Sequence, residues 1–438
     1  MNHVIVADLG YGDAGKGTVV DWLCSPRSGP DGVHTVVRFN GGAQAGHNVV
    51  TTDGRHHTFA QFGSGTFTPG VRTHLSRFVL VDPLALAAEA GHLAAVGVPD
   101  ALARLTVDRD ALLVTPYHRA ANQVRELARG EHRHGSCGMG IGETARYALA
   151  HPGDAPRVAD CAAPRVLARK LATLRDQLTS DLDPLAPARS GTGASIADLC
   201  DAYRAFAAAV PLVDSGYLTR VLRRGPVVFE GAQGVLLDEW RGFHPYTTWS
   251  TTTFANAETL LAEAGQAAMH LGVVRTYMTR HGPGPFVTED PTMERPEPHN
   301  RDGRWQGVFR TGHFDAVAYR YAVEVAGGVD ALAVTHLDIP GKGARLCRAY
   351  RVNGQSLARL VPGQERDLAY QERLTGTLLR ARPEYEDPGS GDWPGLIEQV
   401  LGAPVALLSR GPTAADKQAV ASVLATPTTS SSSSSTCS

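Results

Sequence analysis

Residues 10–18 read Gly-Tyr-Gly-Asp-Ala-Gly-Lys-Gly-Thr; they follow the apolar run Val4, Ile5, Val6, Ala7 and open an amphipathic stretch over residues 18–24. Strand, glycine loop and helix in that order make a phosphate cradle. Backbone N–H groups close on phosphate oxygens, the helix N-terminus adds partial positive charge, and Lys16 adds a full one. The loop fits G-x-x-x-x-G-K over residues 10–16, but Gly17 stands where an ordinary P-loop carries the Ser or Thr that holds magnesium. Asp13, inside the loop, has the chemistry to ligate the metal instead, or to take a proton from a substrate lying against the same phosphates. An anionic side chain beside phosphate is repulsive unless a cation or a proton transfer justifies it. A glycine-rich turn with a solvated Asp and Lys is the plain alternative.

Two further segments present polar side chains from glycine turns. Residues 36–48 run from a strand into Gly41-Gly-Ala-Gln-Ala-Gly-His47, which sets His47 to donate to developing phosphate charge or to shuttle a proton near neutral pH. Residues 229–238, Phe-Glu-Gly-Ala-Gln-Gly-Val-Leu-Leu-Asp, end a strand in a turn carrying Gln233, suited to a base edge. Each alone is weak evidence, since a turn histidine is common.

These turns need a scaffold, and the periodicity predicts an α/β one. Strand-like runs at 33–39, 78–81, 227–230, 272–277, 331–337 and 405–409 alternate with helical stretches at 84–96, 117–129, 163–178, 196–209, 254–269, 314–325 and 396–401. There is no internal repeat. Residues 288–307, rich in Pro and Asp without periodicity, read as a long functional loop. The chain is expected to form one catalytic domain over residues 1–426 and a disordered Ser-rich tail over 427–438. Its 438 residues, 43% hydrophobic and 20% charged, suffice for a large core, and a formal net charge of −2 leaves no electrostatic footprint for nucleic acid or an anionic membrane. No run is long and apolar enough to span a bilayer and no signal sequence opens the chain, so a cytoplasmic location is expected. The six cysteines, Cys24, Cys137, Cys161, Cys200, Cys347 and Cys437, lack a disulfide-like framework and read as reduced. The pairs His56, His57 and His132, His134 lack zinc-site spacing and read as solvated loop histidines.

Taken together, the motifs resemble the adenylosuccinate synthetase family, GTP-dependent ligases that join IMP to aspartate, from residue 4 to about residue 412. The family's Gly-Asp-Glu-Gly-Lys-Gly is met at residues 12–17 with Ala14 for Glu, and its Asn-Ala-Gly-His at residues 44–47. Residues 229–238 match almost throughout. Further matches are Pro245-Tyr-Thr-Thr248, Thr279-Arg-His-Gly-Pro-Gly-Pro-Phe-Val-Thr-Glu289, Arg310-Thr-Gly312, Leu337-Asp338, and Ser409 with Gly411-Pro412.

The resemblance implies a large, mixed but mostly parallel sheet flanked by helices, with smaller subdomains, and a two-step reaction in a homodimer. Asp13 would take the N1 proton of the base so that O6 attacks the γ-phosphate of GTP, with His47 and magnesium stabilising the charge. An amine then displaces the 6-phosphate. Catalytic roles fall to Asp13, Lys16, His47 and Gln233; magnesium ligation to Asp13 and the Gly46 carbonyl. GTP would be held by Gly12, Gly15, Lys16, Gly17, Thr18, Gly46, His47, His336, Asp338, Ser409, Gly411 and Pro412. The IMP-like nucleotide would meet Asp13, Gln44, Ser136, Cys137, Gln233 and Thr248.

The departures concern the substrates. The family's Gly-Thr-Thr-Gly-Arg-Gly-Ile-Gly is Gly135-Ser-Cys-Gly-Met-Gly-Ile-Gly142 here, with Cys137 replacing a phosphate-binding Thr and Met139 an Arg. His151 falls where the family sends an arginine across its dimer interface, with Arg146 and Arg157 as stand-ins. His336 replaces a guanine-side Lys. The aspartate loop, arginine-rich in the family, is Arg304-Trp-Gln-Gly-Val-Phe-Arg310, which leaves Arg304 and Arg310 to hold the amine substrate. Three readings stay open on sequence: the IMP–aspartate ligase, a paralogous ligase for a modified nucleotide or another amine, and a non-catalytic nucleotide-binding protein.

Overall fold

The computed structural model describes residues 3–29, 32–185, 194–293, 295–339, 344–389 and 391–420, so the proposed Ser-rich tail and Cys437 lie outside the described residues. Ten strands form the central sheet: β1 (His3–Asp8), β2 (Thr35–Arg38), β3 (Arg72–Leu75), β4 (Leu105–Asp108), β5 (Leu212–Val213), β6 (Val227–Glu230), β7 (Ala268–Arg275), β8 (Ala331–Thr335), β9 (Val405–Ser409) and β10 (Lys417–Ala419). Their order is β10-β9-β8-β7-β1-β6-β2-β3-β4-β5, and every neighbouring pair is parallel except β9 with β10. This is the α/β architecture expected, large, mixed and mostly parallel.

Burial on both faces explains the strand composition, because a parallel sheet covered on each side needs apolar residues at every position. In β1, Val4 and Val6 face helix α1 (Lys16–Cys24), packing with Val19, Val20 and Leu23. Ile5 and Ala7 face the opposite layer, which includes Val317 and Tyr321 of helix Ala316–Val325. A separate core, built from Leu75, Leu105 and Val107 with helices Pro83–Ala95, Pro116–Ala128, Pro164–Leu182 and Ile196–Ala209, forms a helical subdomain at the β3–β4 end.

Some expected elements are revised. The stretch 254–269 is helical only over Ala255–Glu263; Gly265 takes a left-handed conformation and Ala268 enters β7 between β1 and β8. Phe314 and Asp315 pair in a short strand, and Asp315 then caps the helix by accepting from the N–H of Val317 and Ala318. The stretch 78–81 keeps only Leu80–Val81 as strand. His57 is no solvated loop residue: it is buried on the strand His56–Phe59, with its Nδ1 2.6 Å from His92 Nδ1. His132 and His134 are exposed as expected, and Cys24, Cys137, Cys161, Cys200 and Cys347 are free thiols. Among the described residues no helix is long and apolar enough to cross a membrane.

The carboxyl ends of β1, β2 and β6 release the three glycine turns singled out above, and they interlock by backbone contact. A Cβ on Gly234 would lie 2.2 Å from the Gly10 carbonyl oxygen and 2.4 Å from the Gly12 nitrogen; one on Gly41 would lie 2.6 Å from Ala232 Cβ. The side chain of Asn40 clasps residue 232, its amide donating to the Ala232 carbonyl at 3.1 Å and its oxygen accepting from the Ala232 N–H at 2.7 Å. Because backbone cannot yield as a side chain can, Gly234→Ala is expected to destabilise the protein by about 1–3 kcal/mol. An unshifted thermal midpoint in ligand-free protein would show that these turns are not in contact.

Candidate functional site

The loop after β1 is organised from below by Asp8. Its Oδ1 accepts from the Gly10 N–H at 2.8 Å, while its Oδ2 accepts from the Ala14 N–H at 2.8 Å and stands 3.2 Å from Lys16 Nζ. From the far side Arg275, at the end of β7, donates to the Asp13 carbonyl at 3.0 Å, and Thr335, at the end of β8, donates to the Ala14 carbonyl at 2.7 Å. With these groups engaged, α1 begins at Lys16 behind Gly15 in a left-handed conformation, with no side chain capping its first N–H groups. A phosphate-bearing ligand would accept from those N–H groups and give buried Lys16 an anionic partner besides Asp8.

Gly17 has a steric reason. A Cβ there would come within 2.9 Å of His47 Cβ and 3.2 Å of Ser64 Oγ, so the Ser or Thr of an ordinary P-loop is excluded by the histidine brought against the loop. His47 opens the strand His47–Val50 instead of resting in a flexible turn, and it is buried. Its Nδ1 stands 2.6 Å from Glu230 Oε1, at the end of β6, and Glu230 also accepts from the Ser64 N–H at 2.9 Å and from the Ser64 hydroxyl. Burial pushes the Glu230 carboxyl up, but Arg38, His47 and Ser64 together bring it down to about 2. As an anion it only accepts, so His47 donates through Nδ1 and its Nε2 is left without a partner. Burial, with the charge of Arg38, holds His47 down at about 4 despite Glu230.

Of the five non-glycine residues with positive φ among the described residues, three are site candidates: Asp13 (φ 60), Gln233 (φ 57) and His336 (φ 58). Backbone in that region is held only where surroundings impose it, and here each case sits at the mouth of a parallel strand. His281, on the strand Met278–His281, stands with Nε2 3.3 Å from Asp13 Oδ2. Burial would raise the Asp13 carboxyl, but the hydrogen bond and charge of His281, with Lys16 and Arg275 behind, hold it below the usual carboxylate range. The side-chain oxygen of Gln233 and both polar atoms of Gln44 are buried without partners, as His47 Nε2 is. Such atoms are costly to leave unmade, and their gathering around Lys16 and Asp13 marks a polar ligand site.

The other candidates form two groups. At the ends of β8 and β9, the Leu337 N–H donates to the Ser409 carbonyl at 3.1 Å, bringing His336 and Asp338 beside Ser409, Gly411 and Pro412; Asp338 and Pro412 are exposed. In the second group, Ser136 shares hydrogen bonds with Asn122 at 2.8 and 2.9 Å, and Glu126 accepts from the Gly135 N–H at 2.9 Å. The loop 304–310 covers this segment, since a Cβ on Gly138 would lie 2.9 Å from Trp305. Cys137 is half-buried with its thiol pushed up by burial, and Thr248 is half-buried with its N–H donating to the Leu237 carbonyl at 2.8 Å. Arg310 reaches Glu289 at 2.8 Å and the Gly284 carbonyl at 3.0 Å, and exposed Arg304 lies over the Trp305 ring. Gly46 is exposed, while Gly12, Gly15 and Thr18 are half-buried along the loop.

Sequence reasoning passed over Asp8, Glu230, Arg275 and Thr335. All four end parallel strands, and a polar residue closing an apolar strand next to a glycine turn was the available signal.

Comparison with known proteins gives a consistent result. The family described as adenylosuccinate synthetase matches residues 5–417. The adenylosuccinate synthetase of Magnetococcus marinus is 32% identical over 94% of this chain and 97% of its own, and adenylosuccinate synthetase 2 of Chromobacterium violaceum is 33% identical over 94% and 96%. Among solved structures, the fully ligated adenylosuccinate synthetase of Plasmodium falciparum superposes with a TM-score of 0.77 at 21% identity, covering 96% of this chain and 100% of that one. The succinoaminodeoxyadenylate synthetase of cyanophage S-2L, bound to dGMP and dATP, superposes with 0.57 at 18% identity, covering 97% and 96%.

The His47–Glu230 pair makes the fold acid-sensitive. His47 charges below about 6.5 when unfolded but only below about 4 when folded, so the unfolded chain binds more protons in that window and stability falls as pH falls through it. Glu230, depressed from 4.5 to about 2, acts in the same direction lower down. Urea unfolding is expected to show less stability at pH 5 than at pH 7, with a smaller drop in His47→Gln; His74, brought to about 4 by burial, keeps part of it. Equal drops in the two proteins would refute the neutral, buried His47.

Proposed function

This chain belongs to the adenylosuccinate synthetase family, and we propose that it carries out a GTP-dependent ligation in which O6 of IMP is phosphorylated and L-aspartate then displaces that phosphate, giving adenylosuccinate, GDP and phosphate. The observation that carries this reading is the convergence of Lys16, Asp13, His47, Gln44 and Gln233, from three interlocked turns, with buried polar atoms lacking partners.

Each residue has a role suited to its surroundings. Lys16 moves from Asp8 alone to sharing charge with the nucleotide phosphates. Asp13, held anionic at neutral pH, accepts the N1 proton of IMP, which makes O6 nucleophilic. Gln233, in its strained conformation, aims an amide at the base, and His47 Nε2 faces the phosphate being transferred, where bound anionic charge favours its protonated, donating form. Gly12, Gly15, Gly17 and Thr18 line the donor phosphates; His336, Asp338, Ser409, Gly411 and Pro412 form the guanine pocket. Gln44, Ser136, Cys137 and Thr248 line the acceptor nucleotide, Cys137 by packing and not by a hydroxyl bond.

Magnesium fits the donor set as a hard cation: the carboxylate of Asp13 and the backbone oxygen of exposed Gly46 would hold it. When bound it would neutralise charge on the phosphates. The catalytic unit is taken as residues 1–426, working in the cytoplasm as a homodimer, a state that rests on the family likeness.

A second reading keeps this chemistry with a different amine, and the pairing of Arg310 with Glu289 favours it, because a pre-neutralised guanidinium is a weaker carboxylate clamp. Incubation with GTP, magnesium and IMP, with and without L-aspartate, separates the two: aspartate-dependent GDP and adenylosuccinate support the first, GDP release without aspartate consumption the second. Asp13→Asn should abolish IMP-dependent GDP release while leaving the thermal midpoint in place, and turnover near wild type would refute the proton acceptor. Arg310→Ala is expected to raise KM for aspartate about tenfold or more, the loss of one charge-assisted bond; an unchanged KM would remove Arg310 from the amine site.

A further inference from the structure

The antiparallel strand β10 folds back along β9 with Lys417 opposite Ser409. That register carries Lys417 to the carboxyl edge of the sheet, the edge from which β1 releases the phosphate loop and β8 releases His336 and Asp338. The side chain is only 8% exposed. Its ammonium donates to the Gly411 carbonyl at 2.8 Å, and among the described residues no carboxylate forms an ion pair with it. Asp338, Asp21 of α1 and Asp416 act on it at longer range, and its own charge is felt at His336. An ammonium has three N–H donors, and a buried cation with one backbone acceptor lacks the partners that usually accompany burial. The surroundings hold down its charge: burial brings the ammonium to about 8, against the pull of those carboxylates.

We propose that Lys417 is a base-specificity residue of the donor pocket, its ammonium donating to the 6-oxo edge of the purine of GTP. This rests on the reading of GTP as phosphoryl donor at residues 10–17. The chemistry follows from the base. Guanine places O6 and N7 acceptors side by side, whereas adenine puts an amino donor at position 6, which an ammonium cannot bond and which it repels. Asp338, a carboxylate on the neighbouring turn, is suited to the opposite need, accepting from N1 and the 2-amino group. One cation and one anion at the two ends of the base edge read guanine in both polarities, and the discrimination falls mainly on Lys417, because the wrong base leaves its buried ammonium without an acceptor. A lysine that merely tied residue 411 in place would not depend on which base is bound.

The test is titration of the full-length protein with ribose-labelled fluorescent GDP and with the equivalent 2-aminopurine riboside diphosphate, which keeps the 2-amino group and lacks the 6-oxo group together with the N1 proton, so that each nucleotide is compared between wild type and variant. KM values for GTP, IMP and aspartate accompany it. Lys417→Met, which retains the aliphatic stem, is expected to weaken GDP roughly tenfold or more, to leave the 2-aminopurine nucleotide nearly unchanged, and to leave KM for IMP near wild type. Lys417→Arg, which keeps the charge, should retain preference for GDP, and it decides the matter if the Met variant does not fold. A Met variant that weakens both nucleotides alike, or neither, overturns the specificity role while leaving the donor reading intact. Wild-type protein that binds no guanine nucleotide overturns the donor reading itself, and this proposal with it.

Discussion

The carboxylate of Asp8 is the constraint on which the rest of the site depends. It closes β1, accepts from two backbone N–H groups of the following loop, and faces the ammonium of Lys16, all in the interior. A carboxylate without such donors would be costly to bury, so its presence fixes the path of residues 9–16. With the underside of the loop satisfied, the N–H groups at the start of α1 remain for a ligand. The ion pair itself need contribute little net stability, since desolvation offsets much of the Coulomb attraction; its value is in holding Lys16 where a phosphate can share it.

Around that loop the turns are locked by contacts too short for any side chain. Gly234 lies under Gly10 and Gly12, Gly41 lies against Ala232, and Gly17 admits His47. The result is a site whose reactive groups come from turns yet are placed by the sheet beneath them. Strain at Asp13, Gln233 and His336 is part of the same arrangement. An unfavourable backbone conformation persists where flanking strands and hydrogen bonds over-determine it, and all three cases fall among the candidate site residues.

Charge is distributed to keep two opposite groups ready at neutral pH. Asp13 stays anionic between His281, Lys16 and Arg275, while His47 stays neutral because its burial and Arg38 outweigh Glu230. The charge states of the proposed proton acceptor and phosphate-facing imidazole are thereby set by their neighbours, not by their ordinary acidities. The covering loop is built differently: Trp305 against Gly138 and Arg310 against Glu289 close it with apolar and internally paired groups.

Much of this was legible in the chain. The apolar runs named β6 and β9 to the residue, because a strand buried on both faces must be apolar throughout, and the three glycine turns named Asp13, Lys16, His47 and Gln233, because only glycine permits such close backbone approach. Short strands such as Arg72–Leu75 and Leu105–Asp108 were missed, since they hold polar residues whose burial is decided by partners far along the chain. So were Asp8, Glu230, Arg275 and His281, whose importance lies in which loop they touch. Residue types and local spacing determine what a turn can do chemically. Which carboxylate orients which histidine, which arginine is already paired, and where Lys417 lies relative to Asp338 depend on contacts between segments far apart in the chain, from 21 residues for Arg310 and Glu289 to 183 for His47 and Glu230, and only the folded sheet brings those together.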